Sequence, residues 1–157
     1  TLKNYRAMSD NPASLGTRIR QMALCVLLES PYGKLGGNVS DYIREPEYTK
    51  FIACIPTVWD ETIGLDAKVA DYAIMARKAA NGDWYIGAIT DWTSRTIEIN
   101  FKFLEEEGPF NIEIYRDGVN ADRYPSDHKR IVSKVNRNDK MDITMAPGGG
   151  WVARIFK

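Results

Sequence analysis

The 157-residue sequence has little of what metal, redox or nucleophilic chemistry draws on: one histidine and two cysteines. With a single His and no Cys pair at ligand spacing, a zinc site is excluded. Cys25 and Cys54 each sit in an apolar helical context, where small buried thiols are usual. Nothing in the sequence brings the two into disulfide geometry. Charge of one sign is also missing, because Lys plus Arg and Asp plus Glu both count 21. A neutral chain has no long-range field favouring nucleic acid or an anionic membrane. No apolar run approaches the roughly 20 residues that span a bilayer. The opening TLKNYRAMSDNPAS has neither an initiating Met nor the apolar core of a signal peptide, so the chain reads as a piece of something longer.

What the sequence does contain is a folded composition, 44% hydrophobic, with a change of architecture near residue 56. The first part is helical. Ile19, Met22, Ala23 and Val26 recur at helical spacing, predicting a helix over Leu15 to Glu29 with Ser14 as its N-cap. Leu24, Cys25, Leu27 and Leu28 widen the stripe, so this helix expects cover on most sides. Ser30-Pro31 ends it, Tyr32 to Leu35 reads as a very short strand, and Gly36-Gly37 is a flexible loop. A second helix opens at Pro46, with Tyr48, Phe51, Ile52 and Ile55 on one face and Pro56 closing it.

The stretch from Tyr72 to Leu104 predicts three successive antiparallel strands, with Asn81-Gly82 as a tight hairpin turn. In its last part Ile97, Ile99, Phe101 and Phe103 alternate with Thr96, Glu98, Asn100 and Lys102, which puts one face on a core and the other in water. Further strands follow around Phe110 to Ile114, Ile131 to Val135, Met141 to Met145 and Trp151 to Phe156. Turns fall at Gly108-Pro109, Asp117-Gly118, Asn138-Asp139 and Pro147 to Gly150, the spacing of an antiparallel β-sandwich.

Candidate chemistry is thin. Asp60 and Glu61 follow Trp59, and a Trp beside paired carboxylates furnishes many sugar sites; the plainer reading is a strand start with solvent-facing acids. Glu29 could point into a cleft or pair with an arginine. Glu105, Glu106 and Glu107 read as a solvated loop, and His128 as a surface residue. Gly148, Gly149 and Gly150 precede a strand rather than a helix N-terminus, so they read as a turn or bulge and not as a phosphate cradle. Trp59, Trp84, Trp92 and Trp151 could stack on sugars or pack in a core. The residues alone therefore describe helices followed by a β-sandwich, with no self-contained active site.

Five segments resemble the end of glycoside hydrolase family 97: GTRIRQMALCVLLESP (Gly16 to Pro31), IPTVWDET (Ile55 to Thr62), WYIGAITDW (Trp84 to Trp92), YRDGVNADR (Tyr115 to Arg123) and APGGGWVARI (Ala146 to Ile155). Their order and spacing resemble the family over nearly the whole chain. The resemblance implies an exo-acting α-glucosidase or α-galactosidase, calcium-dependent and exported to the periplasm or beyond, with a central (β/α)8 barrel and a C-terminal β-domain. Residues 1–56 would then be the end of the barrel, supplying its last two helices and the strand Tyr32 to Leu35, and residues 57–157 the C-terminal antiparallel β-domain. The catalytic carboxylates and most of the calcium ligands would lie in barrel segments upstream of this chain, so no catalytic residue and no metal ligand is assigned in it. Because barrel sites sit at the C-terminal ends of strands, Gly36, Gly37 and Asn38 would be the residues nearest substrate. The partners implied are the rest of the barrel and an oligosaccharide. A carbohydrate-binding module using Trp92 and Trp151 is the alternative, and an open shared face for those rings is what it requires.

Overall fold

A computed structural model describes residues 14–30, 36 and 38–157. Among them are three helices, α1 (Arg18–Leu27), α2 (Val39–Arg44) and α3 (Pro46–Cys54), and eight strands, β1 (Glu61–Lys68), β2 (Tyr72–Lys78), β3 (Trp84–Thr90), β4 (Arg95–Asn100), β5 (Phe110–Asp117), β6 (His128–Val135), β7 (Lys140–Met145) and β8 (Gly150–Phe156). The expected strand Tyr32 to Leu35 lies outside the described residues. Six strands form one sheet in the order β1-β2-β3-β8-β5-β6, and β4 pairs with β7 in a second sheet. All the pairings are antiparallel.

The strands at the centre of the large sheet are apolar on both faces because both are covered. In β3, only Ile89 is less than fully buried. One face carries Ile74, Ile86, Ile112, Trp151 and Ile155, which pack against Ile99, Ile143 and Met145 of the second sheet and close the sandwich. The opposite face carries Tyr85, Tyr115 and Val152, which pack against Ile19, Met22, Ala23 and Val26 of α1 and Phe51 and Ile52 of α3. The α3 stripe expected from the sequence, Tyr48, Phe51, Ile52 and Ile55, all joins this second core.

Three local expectations are corrected. The first helix begins at Arg18 rather than Leu15, because Thr17, not Ser14, caps it: its hydroxyl oxygen accepts the Arg20 backbone N–H at 3.1 Å. The hairpin after β2 is longer than a two-residue turn. The Gly82 N–H bonds the Ala79 carbonyl at 2.9 Å, and Gly82 rather than Asn81 takes positive φ, at 86°. The Asn81 side chain instead accepts from the Asp83 N–H at 3.1 Å. Finally, the three strands within Tyr72 to Leu104 do not form one meander. β2 and β3 pair, but β4 crosses to the second sheet and pairs with β7, joining Ile97 to Ile143 and Ile99 to Met141. The alternation of β4 is as expected, with Ile99 buried and Glu98 and Asn100 exposed.

Candidate functional site

Two junctions tie the helices to the large sheet. At the N-terminal end of α1, the buried carboxylate of Asp117, the last residue of β5, is wrapped by the loop before β8. Its Oδ2 accepts the backbone N–H groups of Ala146 and Gly150, each at 3.0 Å, and the Thr17 hydroxyl donates to the same carboxylate. Burial pushes the Asp117 pKa above the usual aspartate value, while these three hydrogen bonds favour the ionised form and oppose the shift. The glycines allow the wrap. A Cβ on Gly149 would lie 2.0 Å from Asp117 Oδ2, and one on Gly150 would lie 2.7 Å from the Arg20 Cα. The same loop reaches the helix and the neighbouring strand. Gly148 accepts the Thr17 N–H at 3.1 Å, and Gly149 accepts the Thr90 N–H at 3.2 Å. Arg20 Nη1 donates to the Thr90 carbonyl at 2.5 Å, and the Arg18 N–H donates to Pro125 at 2.8 Å. Gly148 and Gly149 thus close a turn that leads into β8 at Gly150, in keeping with the turn or bulge expected there, and the anion inside it is the protein's own.

At the other end of α1, the helix lies so close to β3 that a Cβ on Gly87 would meet the Ala23 carbonyl oxygen at 2.9 Å and the Val26 Cβ at 3.0 Å. Arg77 of β2 is buried beneath Trp59, with its guanidinium 5.6 Å from the ring centroid and Nη2 3.6 Å from Glu29 Oε2. The Tyr85 hydroxyl donates to the Cys54 carbonyl at 2.7 Å and the Tyr115 hydroxyl to the Glu47 carbonyl at 3.3 Å, so the two sheet tyrosines hold the two ends of α3. Burial pushes both phenols up to about 12.

The residues singled out from the sequence are scattered rather than gathered. Asp60 and Glu61 are exposed where β1 begins, and the Trp59 ring turns inward to pack edge-on against Tyr85 at 5.5 Å, so acid and ring do not share a site. Glu29 pairs with Arg77, as above. His128 opens β6 and stacks on Tyr115 with centroids 6.2 Å apart. Gly36 is exposed, and its carbonyl accepts the Tyr42 hydroxyl at 2.6 Å; Asn38 is the exposed residue before α2, and Gly37 lies outside the described residues. Both thiols are free. Trp151 is 2% exposed and Trp92 39%, with the Trp92 ring lying over the Gly148 backbone, so they present no shared open face for a sugar. Asp117 and Gly87 are what sequence reading missed, and the only signals were a turn dipeptide and a glycine inside a strand.

A cavity of ≈ 290 Å³ opens at the charged end of the sandwich, lined by Lys78, Asp83, Trp84, Glu105, Glu106 and Lys157 among others. Each of its acids is held by a cation: Asp83 by Arg154 at 2.6 Å, Glu106 by Lys157 at 2.6 Å and Glu105 by Lys78. Among the described residues no group of three or more His, Cys, Asp or Glu side chains is placed to hold a metal ion. No helix among them is long and apolar enough to cross a membrane.

Fold and site together define an accessory β-sandwich domain with helices fixed to one face. The model of the glycosyl-hydrolase 97 C-terminal, oligomerisation family matches residues 58–156, and the chain belongs to that family. It is similar to a retaining alpha-galactosidase of Bacteroides thetaiotaomicron, with 45% identity over 153 residues that cover 97% of this chain and 23% of that protein. A glycoside hydrolase family 97 enzyme from a Pseudoalteromonas strain, solved with panose, superposes with a TM-score of 0.86 at 36% identity, covering 90% of this chain and 22% of that one. A beta-arabinopyranosidase shares the fold at a TM-score of 0.76 and 20% identity, over 92% of this chain and 22% of that one. The chain therefore spans about a quarter of the length of these relatives.

Proposed function

We propose that this chain is the C-terminal part of an exo-acting α-glycosidase that cleaves an α-galactoside or α-glucoside, and that it has no hydrolytic activity alone. The similarity to a retaining alpha-galactosidase over 97% of this chain but 23% of that enzyme carries the reading. The cavity acids are all ion-paired, which agrees with it. Glycoside hydrolysis needs two carboxylates held across the scissile bond, roughly 5 to 9.5 Å apart depending on stereochemistry, and the reading assigns that pair to the upstream barrel.

In this reading residues 1–56 end the barrel and residues 57–157 form the C-terminal β-domain. The glycine loop of Gly36 and Gly37, with Asn38, follows the eighth barrel strand and lies nearest substrate. Calcium is held by the parent's barrel outside this chain, and the parent works in the periplasm or outside the cell on an oligosaccharide. The β-domain supports the barrel through α1 and α3 and serves the self-association that the family description names.

The test compares the parent enzyme with the isolated 157-residue chain on p-nitrophenyl α-galactoside and α-glucoside. Turnover is expected of the parent and none of the isolated chain. Hydrolysis by the isolated chain, abolished by removing Glu29 and Glu61 together, would overturn the reading.

A further inference from the structure

The tip of the β2–β3 hairpin sets an electrophile beside a nucleophile. Of the chain's asparagines only Asn81 precedes a glycine, and both residues of the pair are exposed. In such a pair the Gly82 backbone nitrogen, once deprotonated, attacks the Asn81 side-chain carbonyl carbon, because no Cβ on the second residue hinders the approach. The new N–C bond closes a five-membered succinimide, and the side-chain nitrogen leaves as ammonia. Water then adds to either imide carbonyl and opens the ring, giving aspartate where the side-chain bond is cut and isoaspartate where the backbone bond is cut. The sum is hydrolysis of an amide, with no oxidant or reductant.

The fold withholds both reacting groups. The Gly82 N–H donates to the Ala79 carbonyl at 2.9 Å, so it does not give its proton to solvent while the turn is closed. The Asn81 carboxamide is fixed on Asp83: its oxygen accepts the Asp83 N–H and its nitrogen donates to Asp83 Oδ2, both at 3.1 Å. Asp83 is itself anchored, with Arg154 Nη2 2.6 Å from Oδ2 and the Ala79 N–H donating to its backbone carbonyl at 2.8 Å. One contact acts in the opposite sense, since the Asp83 N–H on Asn81 Oδ1 would stabilise the oxyanion formed on attack. It gains nothing until the nucleophile is free, so the Gly82 hydrogen bond decides.

We propose that Asn81 is a site of spontaneous deamidation and that the closed β2–β3 turn is its brake, so that conversion proceeds only from molecules in which the turn has opened. The product does not return to the starting turn. Isoaspartate lengthens the backbone by a carbon between residues 81 and 82, which pulls the Ala79–Asp83 closure out of register. Either product replaces a hydrogen-bond donor to Asp83 Oδ2 with a second carboxylate beside it, and Arg154 is then shared between two acids. Conversion at a single residue thus loosens the charged end of the sandwich, where Asn81 and Asp83 line the cavity. This chemistry is independent of the parent's glycosidase activity.

Peptide mapping of the full-length parent, aged at mildly alkaline pH with and without urea, tests it. In urea Asn81 is expected to convert before any other asparagine. Without urea its conversion is expected to be slower by roughly 10-fold or more, the inverse of the fraction of open turn. Asp83→Ala frees the carboxamide and loosens the turn, so it should speed conversion in the native protein and leave the rate in urea unchanged. If that variant fails to fold, hydrogen exchange of the Gly82 amide in the unaltered protein takes its place, and its protection factor should match the ratio of the two conversion rates. Another asparagine converting first in urea would overturn the site. A native rate equal to the rate in urea, or one that follows neither Asp83→Ala nor the Gly82 exchange, would overturn the brake.

Discussion

The two faces of the six-stranded sheet are closed by different means. On one face the second sheet supplies interdigitating apolar side chains, and Trp151, Ile143 and Phe101 lie in a core built by alternation. On the other face α1 approaches at backbone distance, which the missing side chains of Gly87 and Gly150 permit, and its N-terminus is tied by the loop around Asp117. The first face depends on volume and the second on the absence of volume. Substitutions that remove atoms should therefore break the first, and substitutions that add them should break the second.

The largest expected effect is on the sandwich face. Trp151→Ala removes the largest fully buried side chain and should cost about 3–5 kcal/mol, read as a lowered denaturant midpoint. On the helix face, Gly150→Ala drives a methyl into the Arg20 backbone, 2.7 Å from its Cα. Because backbone cannot rotate away, the cost should be about 1–3 kcal/mol from one added carbon. An alanine at an exposed glycine of the edge strand β1, Gly64, has nothing within 4 Å to meet and should leave the midpoint unchanged.

Asp117 sharpens the contrast electrostatically. Asp117→Ala strands the Ala146 and Gly150 N–H groups, at a cost of roughly 1–3 kcal/mol. Because burial raises its folded-state pKa above the ordinary value of 3.8, the native chain holds this proton to higher pH than the unfolded chain. Its contribution is fully present below the ordinary aspartate pKa and is lost as pH rises through the raised value. Asp117→Asn keeps an acceptor for the loop and should flatten that part of the stability–pH curve, which urea melts across the acid range would show. Of the destabilising substitutions the smallest effect is expected of Tyr85→Phe, which removes the hydrogen bond to the Cys54 carbonyl and should cost about 0.5–1.5 kcal/mol.

The same contrast explains what could be read from the residues. The sandwich face was legible, because Ile97 and Ile99 on β4 and Ile143 and Met145 on β7 alternate with polar neighbours, and a period of two states which side faces a core. The α3 stripe was legible for the corresponding helical reason. The crossing of β4 to the second sheet was not, since pairing partners are distant in sequence and the alternation is the same whichever sheet the strand joins. Nor did Gly87 announce that a helix lies on it, because a glycine within a strand does not name what approaches. Asp117 was hidden behind its turn signal: an Asp-Gly pair reads as solvent-facing, and only the fold brings the glycine loop around it. For the candidate site the sequence showed that Glu29 could pair with an arginine and that Asp60 and Glu61 could face solvent, but nothing local reveals that the Trp59 ring turns inward onto Tyr85.

Hydrogen exchange tests most directly whether α1 and the sandwich are one unit. A ten-residue helix is marginal in water on its own, so any strong protection of its amides must come from the sheet beneath it. The account predicts that the Ala23 to Leu27 amides of α1 exchange as slowly as those of β3. Free exchange along α1 beside a fully protected β3 would contradict it.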